Sequence, residues 1–169
     1  MADVLNSYGV RRNNCLISFM VVGPKDISIL ISESLYCNSK ERKWQIAVHC
    51  CELIQEALRP NLELCVDFII FTVDIRKTHS LVEVETSINF IDEHYLISDC
   101  TCLINVAGIS YNLLGFIHAK LRSILSKYNI HYMSENIFNP QSCHSLANRI
   151  LNLAEASLGI ASGVPVHLL

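Results

Sequence analysis

The sequence predicts an α/β protein of three layers, a mostly parallel sheet between helices on both faces. Its apolar runs are continuous rather than alternating: CLISFMVV at 15–22, CVDFIIFTV at 65–73 and CLINV at 102–106. Strands covered on both faces read this way. The segments between them repeat apolar residues at helical spacing, and strand, helix, strand in that rhythm calls for parallel crossovers. Size agrees, because 169 residues with 51% hydrophobic and 17% charged side chains can build one core and are too apolar for a disordered chain.

The elements follow in order. The first strand closes at Gly23-Pro24, and Ile27, Leu30, Ile31 and Leu35 then recur on one helical face behind Asp26, expected to cap that helix. Residues 43–50, KWQIAVHC, alternate Trp44, Ile46 and Val48 with polar neighbours as a half-buried strand does, and 51–60 are expected to hold a short helix. After the strand at 65–73, Ser80 and Glu83 have capping-box spacing and open a helix running to Glu93. Its stripe is Leu81, Val84, Ile88 and Ile91, with Glu83, Glu85, Asp92 and Glu93 opposite.

The strand at 101–106 ends at Ala107-Gly108. A helix over about 112–128 buries Leu114, Ile117, Leu121, Ile124 and Leu125, and 130–133 is a short further apolar run. The last helix, about 141–158, presents Leu146, Ile150, Leu153 and Ala154 and ends at Gly159. The expected organisation is a flexible segment 1–14, one domain 15–158 and an apolar tail 159–169.

A formal charge of −3 offers no bulk attraction to nucleic acid or anionic lipid, so no sequence-specific DNA binding is expected. Asp67 and Asp74 interrupt the most apolar run, and Thr101, Asn105, Gly108, Ser110 and Asn112 dilute the stretch 100–116, which predicts a soluble chain. Arg11 and Arg12 precede the first apolar run as in a secretory signal, but no small-residue cleavage site follows. The eight cysteines, at 15, 37, 50, 51, 65, 100, 102 and 143, form no C-x-x-C pair and read as reduced, inert thiols in a reducing compartment. Cys50 and Cys51 beside His49 point to opposite faces of a strand, so no metal site is expected there.

In a sheet of this kind ligands bind at the carboxyl ends of the strands. A phosphate loop needs G-x-x-x-x-G-K-[ST] after the first strand, yet Gly23 is followed by PKDISIL, with Ser28, Ile29 and Leu30 where Gly, Lys and Ser or Thr belong. Lys25 reads as a solvated side chain. Asp74, His79 and Ser80 are the residue types of a nucleophilic triad, but Ser80 is expected to cap and His79 to be exposed. Lys40, Arg42 and Lys43, interleaved only by Trp44, read as a solvated rim or a contact for an acidic partner.

The segment VDFIIFTVDIRKTHS at 66–80 resembles the fourth strand and following loop of Ras-type small GTPases. CLINVAG then stands where that family reads guanine with Asn-Lys-x-Asp. Only Asn105 matches, Val106 and Gly108 replacing the Lys and the Asp. The Asp-x-x-Gly motif is absent, and Ser134-Glu135-Asn136 keeps only the Ser of the Ser-Ala-Lys loop.

The whole pattern, from about 15 to 168, resembles the centromere protein M family, through the first strand ending in Val-Gly, VDFIIFTVDIRKTHSL, INFIDEHYLISDC and the tail SGVPVHLL. The resemblance implies a Ras-like pseudo-GTPase fold without catalysis or cofactor. It also implies a nuclear inner-kinetochore subunit that binds chiefly the helical-repeat centromere protein I, with centromere proteins H and K. The alternatives are an atypical nucleotide switch rebuilt around Lys25 and the backbone after Gly23, and a thiol-dependent enzyme with a low-pKa cysteine. Apolar residues on a connection and a tail mark the expected partner surface: Tyr95, Leu96 and Ile97 with Val164, Val166 and Leu168. The competing expectation is a tail packed across the sheet edge.

Overall fold

In the computed structural model, residues 16–58, 65–108 and 115–160 are described. They run β1 (Leu16–Val22), α1 (Lys25–Ser39), β2 (Gln45–Cys51), α2 (Ile54–Ala57), β3 (Phe68–Val73), α3 (Thr78–Ile88), α4 (Glu93–Ile97), β4 (Thr101–Asn105), α5 (Gly115–Tyr128), β5 (His131–Ser134) and α6 (Pro140–Ser157). The described strands form a five-stranded sheet ordered β2-β1-β3-β4-β5, parallel at every pairing. Helices α1 and α6 pack together, as do α3 and α5. This follows from right-handed crossovers: the chain leaves β1 toward one edge and β3 toward the other, so the two helix pairs fall on opposite faces.

Every residue of β3 and β4 is buried, whereas the edge strands β2 and β5 are largely half-exposed. The continuous apolar runs are thus the central strands and the alternating KWQIAVHC is an edge, as their patterns predict. Phe19 and Phe68 meet at 5.8 Å between ring centroids with planes tilted by 53°, an arrangement aromatic pairs favour. Asp67 is polar within the apolar run because it clamps β1: its carboxylate accepts the Ser18 N–H at 2.8 Å, and its own N–H donates to the Ser18 carbonyl at 2.8 Å. Regular β3 therefore begins at Phe68 rather than at 65.

Helix boundaries depart from the sequence reading in three places. Asp26 lies in the first turn of α1 and Pro24 is the N-cap, so Asp26 acts on the helix dipole instead of capping it. Ser80 lies inside α3, which starts at Thr78 behind Lys77; the Asp74–Lys77 turn, closed by Lys77 N–H to Asp74 C=O at 2.9 Å, starts the helix earlier than the Ser80-Glu83 spacing suggests. The helix expected to reach Glu93 stops at Ile88, and α4 opens anew at Asp92, whose carboxylate accepts the His94 N–H at 2.9 Å. At the far end, Gly159 (φ +66°) donates to Ala156 and Ile160 to Glu155, closing α6 with the paired bonds expected of a glycine C-cap.

The segment HYLI is a helical turn, not an apolar loop. Tyr95, 1% exposed, fills the space beneath β3 and donates its hydroxyl to the Val66 carbonyl at 2.7 Å, while the Tyr95 carbonyl accepts the Cys100 N–H at 2.9 Å. Burial, with Asp67 and Asp92 nearby, pushes the Tyr95 phenol well above its ordinary pKa. Tyr95→Phe strands a buried carbonyl and is expected to cost about 1–3 kcal/mol, read as a lower urea midpoint at unchanged slope.

Candidate functional site

The strand order reverses at β1, so the crevice beyond the carboxyl ends of β1 and β3 is where a doubly wound sheet takes a ligand. There β1 and β3 pack closely. Gly23 has φ +149° and sits so close to β3 that a Cβ there would lie 1.8 Å from Thr72 Oγ1. The Thr72 hydroxyl donates to the Val22 carbonyl at 3.1 Å, the Gly23 N–H donates to the Cys51 carbonyl at 3.0 Å, and the Ser28 hydroxyl donates to the Gly23 carbonyl at 3.2 Å. The Gly23 N–H and the Thr72 and Ser28 hydroxyls, donors a phosphate could use, are thus taken by the chain's own carbonyls. Pro24 has no N–H to offer, and Asp26 puts negative charge in the first turn of α1, where an anion would need the opposite. Lys25 is exposed.

Beside this turn, Asp74 is held by Arg76 through Nε at 2.8 Å, Nη2 at 2.6 Å and the backbone N–H at 3.1 Å. Those hydrogen bonds draw the Asp74 carboxyl below its usual range. His79 and Ser80 lie in the first turn of α3, and Asp74 orients Arg76 rather than a histidine. Arg42 is likewise committed, to Glu155 at 2.5 Å and Asn152 at 2.6 Å on α6.

At the ends of β4 and β5 the two residues that match small-GTPase motifs bind each other. Asn105 is fully buried, its Nδ2 donating to Ser134 Oγ at 2.9 Å and its Oδ1 accepting the Ala107 N–H at 3.3 Å. Ala107 bridges Asn136, and Gly108 (φ +64°) lies so near that a Cβ would sit 2.7 Å from the Asn136 nitrogen. The counterpart of the guanine-reading Asn is thus engaged within its own chain.

Thiol chemistry finds no activated group among the shifted cysteines. Burial pushes Cys51 and Cys100 up to about 12, raises Cys102 further and raises Cys50. Cys100, Cys102 and Cys143 are buried, Cys51 and Cys65 half-buried, and Cys37 and Cys50 exposed; Cys15 lies outside the described residues. Among the described residues no three His, Cys, Asp or Glu side chains converge as a metal site, and no helix is long and apolar enough to cross a membrane.

An open cleft of about 860 Å³ lies at the opposite pole, where the chain enters β4 and β5. Ile88, Asn89 and Ile91 from the end of α3, Asp92, Glu93, Leu96 and Ile97 of α4 and its cap, and Lys127, Tyr128 and Asn129 from the end of α5 line it. Of the expected partner anchors, Leu96 is half-buried in this lining and Ile97 stands 69% exposed. Tyr95 is corrected: it is the core anchor of α4, because the same helical turn that exposes Ile97 directs Tyr95 inward. Val164, Val166 and Leu168 lie outside the described residues.

The contributions of Lys127, Tyr128 and Asn129 are new. Lys127 lies 4.6 Å over the Tyr128 ring and 3.9 Å from Glu85, which Lys120 also binds. In sequence they signal only the end of a helix, and only the fold brings them to the same cleft as Ile97. For the closed pole, Gly108→Ala must displace the Asn136 backbone and adopt positive φ; a loss of about 1–3 kcal/mol in chemical denaturation is expected.

Compared with known proteins, the chain matches the family model for centromere protein M (CENP-M) over residues 31–169. No curated protein matches it. The match spans everything from the middle of α1 onward, and the parallel three-layer architecture is consistent with a Ras-like fold. The chain belongs to the centromere protein M family, whose members are nuclear proteins of the centromere and kinetochore.

Proposed function

We propose that the protein is a non-catalytic interaction subunit of the inner kinetochore that docks the helical-repeat centromere protein I, together with centromere proteins H and K, and uses no cofactor. The observation that carries this reading is the contrast between the poles. At the carboxyl ends of β1 and β4 the described backbone packs with no room for a Cβ, Gly23 against Thr72 and Gly108 against Asn136, while the opposite pole presents a cleft with Ile97 69% exposed. An exposed apolar side chain beside a half-buried one, framed by polar residues, is the surface pattern of a protein contact. The tail residues Val164, Val166 and Leu168 extend the proposed surface by their composition.

Ile97→Glu is expected to abolish co-purification with centromere protein I without altering the circular dichroism of the isolated chain, since the side chain is already in solvent. Truncation of such an anchor costs upwards of about 1 kcal/mol, and a buried charge costs more. Undiminished binding would refute the surface. Calorimetric titration with GTP or GDP and Mg²⁺ is expected to show no heat of binding, and micromolar affinity would reinstate the nucleotide switch.

A further inference from the structure

We infer that the cleft beside Ile97 receives an amphipathic helix whose apolar face is bordered by Lys or Arg, so that the site selects its partner by charge as well as by shape; this rests on the interaction-subunit reading above and specifies its occupant. None of the described lining residues belongs to one of the five strands of the sheet. Such a surface offers no ladder of N–H and C=O groups, so an extended peptide laid on it would leave its backbone unpaired. A helix arrives with those bonds made and needs only an apolar contact, which exposed Ile97 with half-buried Leu96 and Tyr128 can supply.

The charge argument is a balance of signs. Asp92 and Glu93 stand on the rim. Helices α3 and α5 both end at the cleft, where helix carboxyl ends carry partial negative charge, and the amino end of α4 that opens there is offset by its own cap, Asp92. Asp99 lies just behind, 3.5 Å from the Asn129 amide, and shares its carboxylate with His131 at 3.7 Å. Opposing these is Lys127, the one Lys or Arg among the described lining residues, and its ammonium is already divided between Glu85 and the Tyr128 ring. The cleft is therefore net negative, which attracts basic flanks and repels acidic ones.

The test is a display selection against the full-length protein from a library of helical peptides. Their apolar residues are fixed at i, i+3, i+4 and i+7, and their flanks are randomised among Asp, Glu, Lys, Arg, Ser and Gln. The expected result is binders that are lost on Ile97→Glu and enriched in flanking Lys and Arg. Their affinity should fall about three- to tenfold at low salt with Asp92→Asn plus Glu93→Gln, less at high salt, and rise with Lys127→Met. Asn retains the capping acceptor of α4, so unchanged circular dichroism accompanies the charge effect. Acidic or unbiased flanks, indifference to the Asp92 and Glu93 changes, or no Ile97-dependent binder each overturns the inference. If basic helices are selected but centromere protein I does not co-purify, the partner named above is wrong and the charge selectivity stands.

Discussion

Burial of β3 and β4 on both faces is the constraint from which the rest of the architecture follows. Phe68–Val73 and Thr101–Asn105 have no solvent side at all, so each face of the sheet must be roofed by helices. The reversal of direction at β1 supplies the roofing, with α1 and α6 on one face and α3 and α5 on the other. With the faces covered, the open ends of the strands are the places left for chemistry or recognition.

The two ends are built to opposite purposes. At the carboxyl ends, short-range polar pairing draws the loops down: Thr72 to Val22, Ser28 to Gly23, Asn105 to Ser134. Each bond occupies a side-chain donor within the chain. At the amino ends, Tyr95 does the reverse by anchoring a single helical turn from below through Val66. A turn pinned at one residue turns its next two outward, which is how Leu96 and Ile97 come to the surface without loosening the fold.

Much of this was legible in the residues. The fully buried strands announce themselves as unbroken apolar runs, because no face needs polar residues, and the loss of phosphate and guanine motifs reads directly from Ser28, Ile29, Leu30, Val106 and Gly108. Boundaries were less legible. Ser80 and Glu83 fit a capping box locally, but the Asp74–Lys77 turn starts α3 first. Tyr95 looked like an exposed anchor because α4 spans five residues, too few for a periodicity that separates inward from outward side chains. The cleft itself could not be read at all, since Ile97 and Tyr128 come to line one cleft only once the chain has folded.

The hydrogen bond from Thr72 to the Val22 carbonyl joins residues 50 positions apart, and β1 pairs with β3 only through that long closure. A ribosome adding about 5–20 residues per second takes roughly 3 to 10 seconds to deliver β3 after β1 has emerged. Until β3 arrives, the edge of β1 that carries Phe19, Met20, Val21 and Val22 lacks its native partner strand. The order of the strands thus leaves an apolar strand waiting for a partner encoded some 50 residues later, the kind of unpaired edge on which aggregation acts.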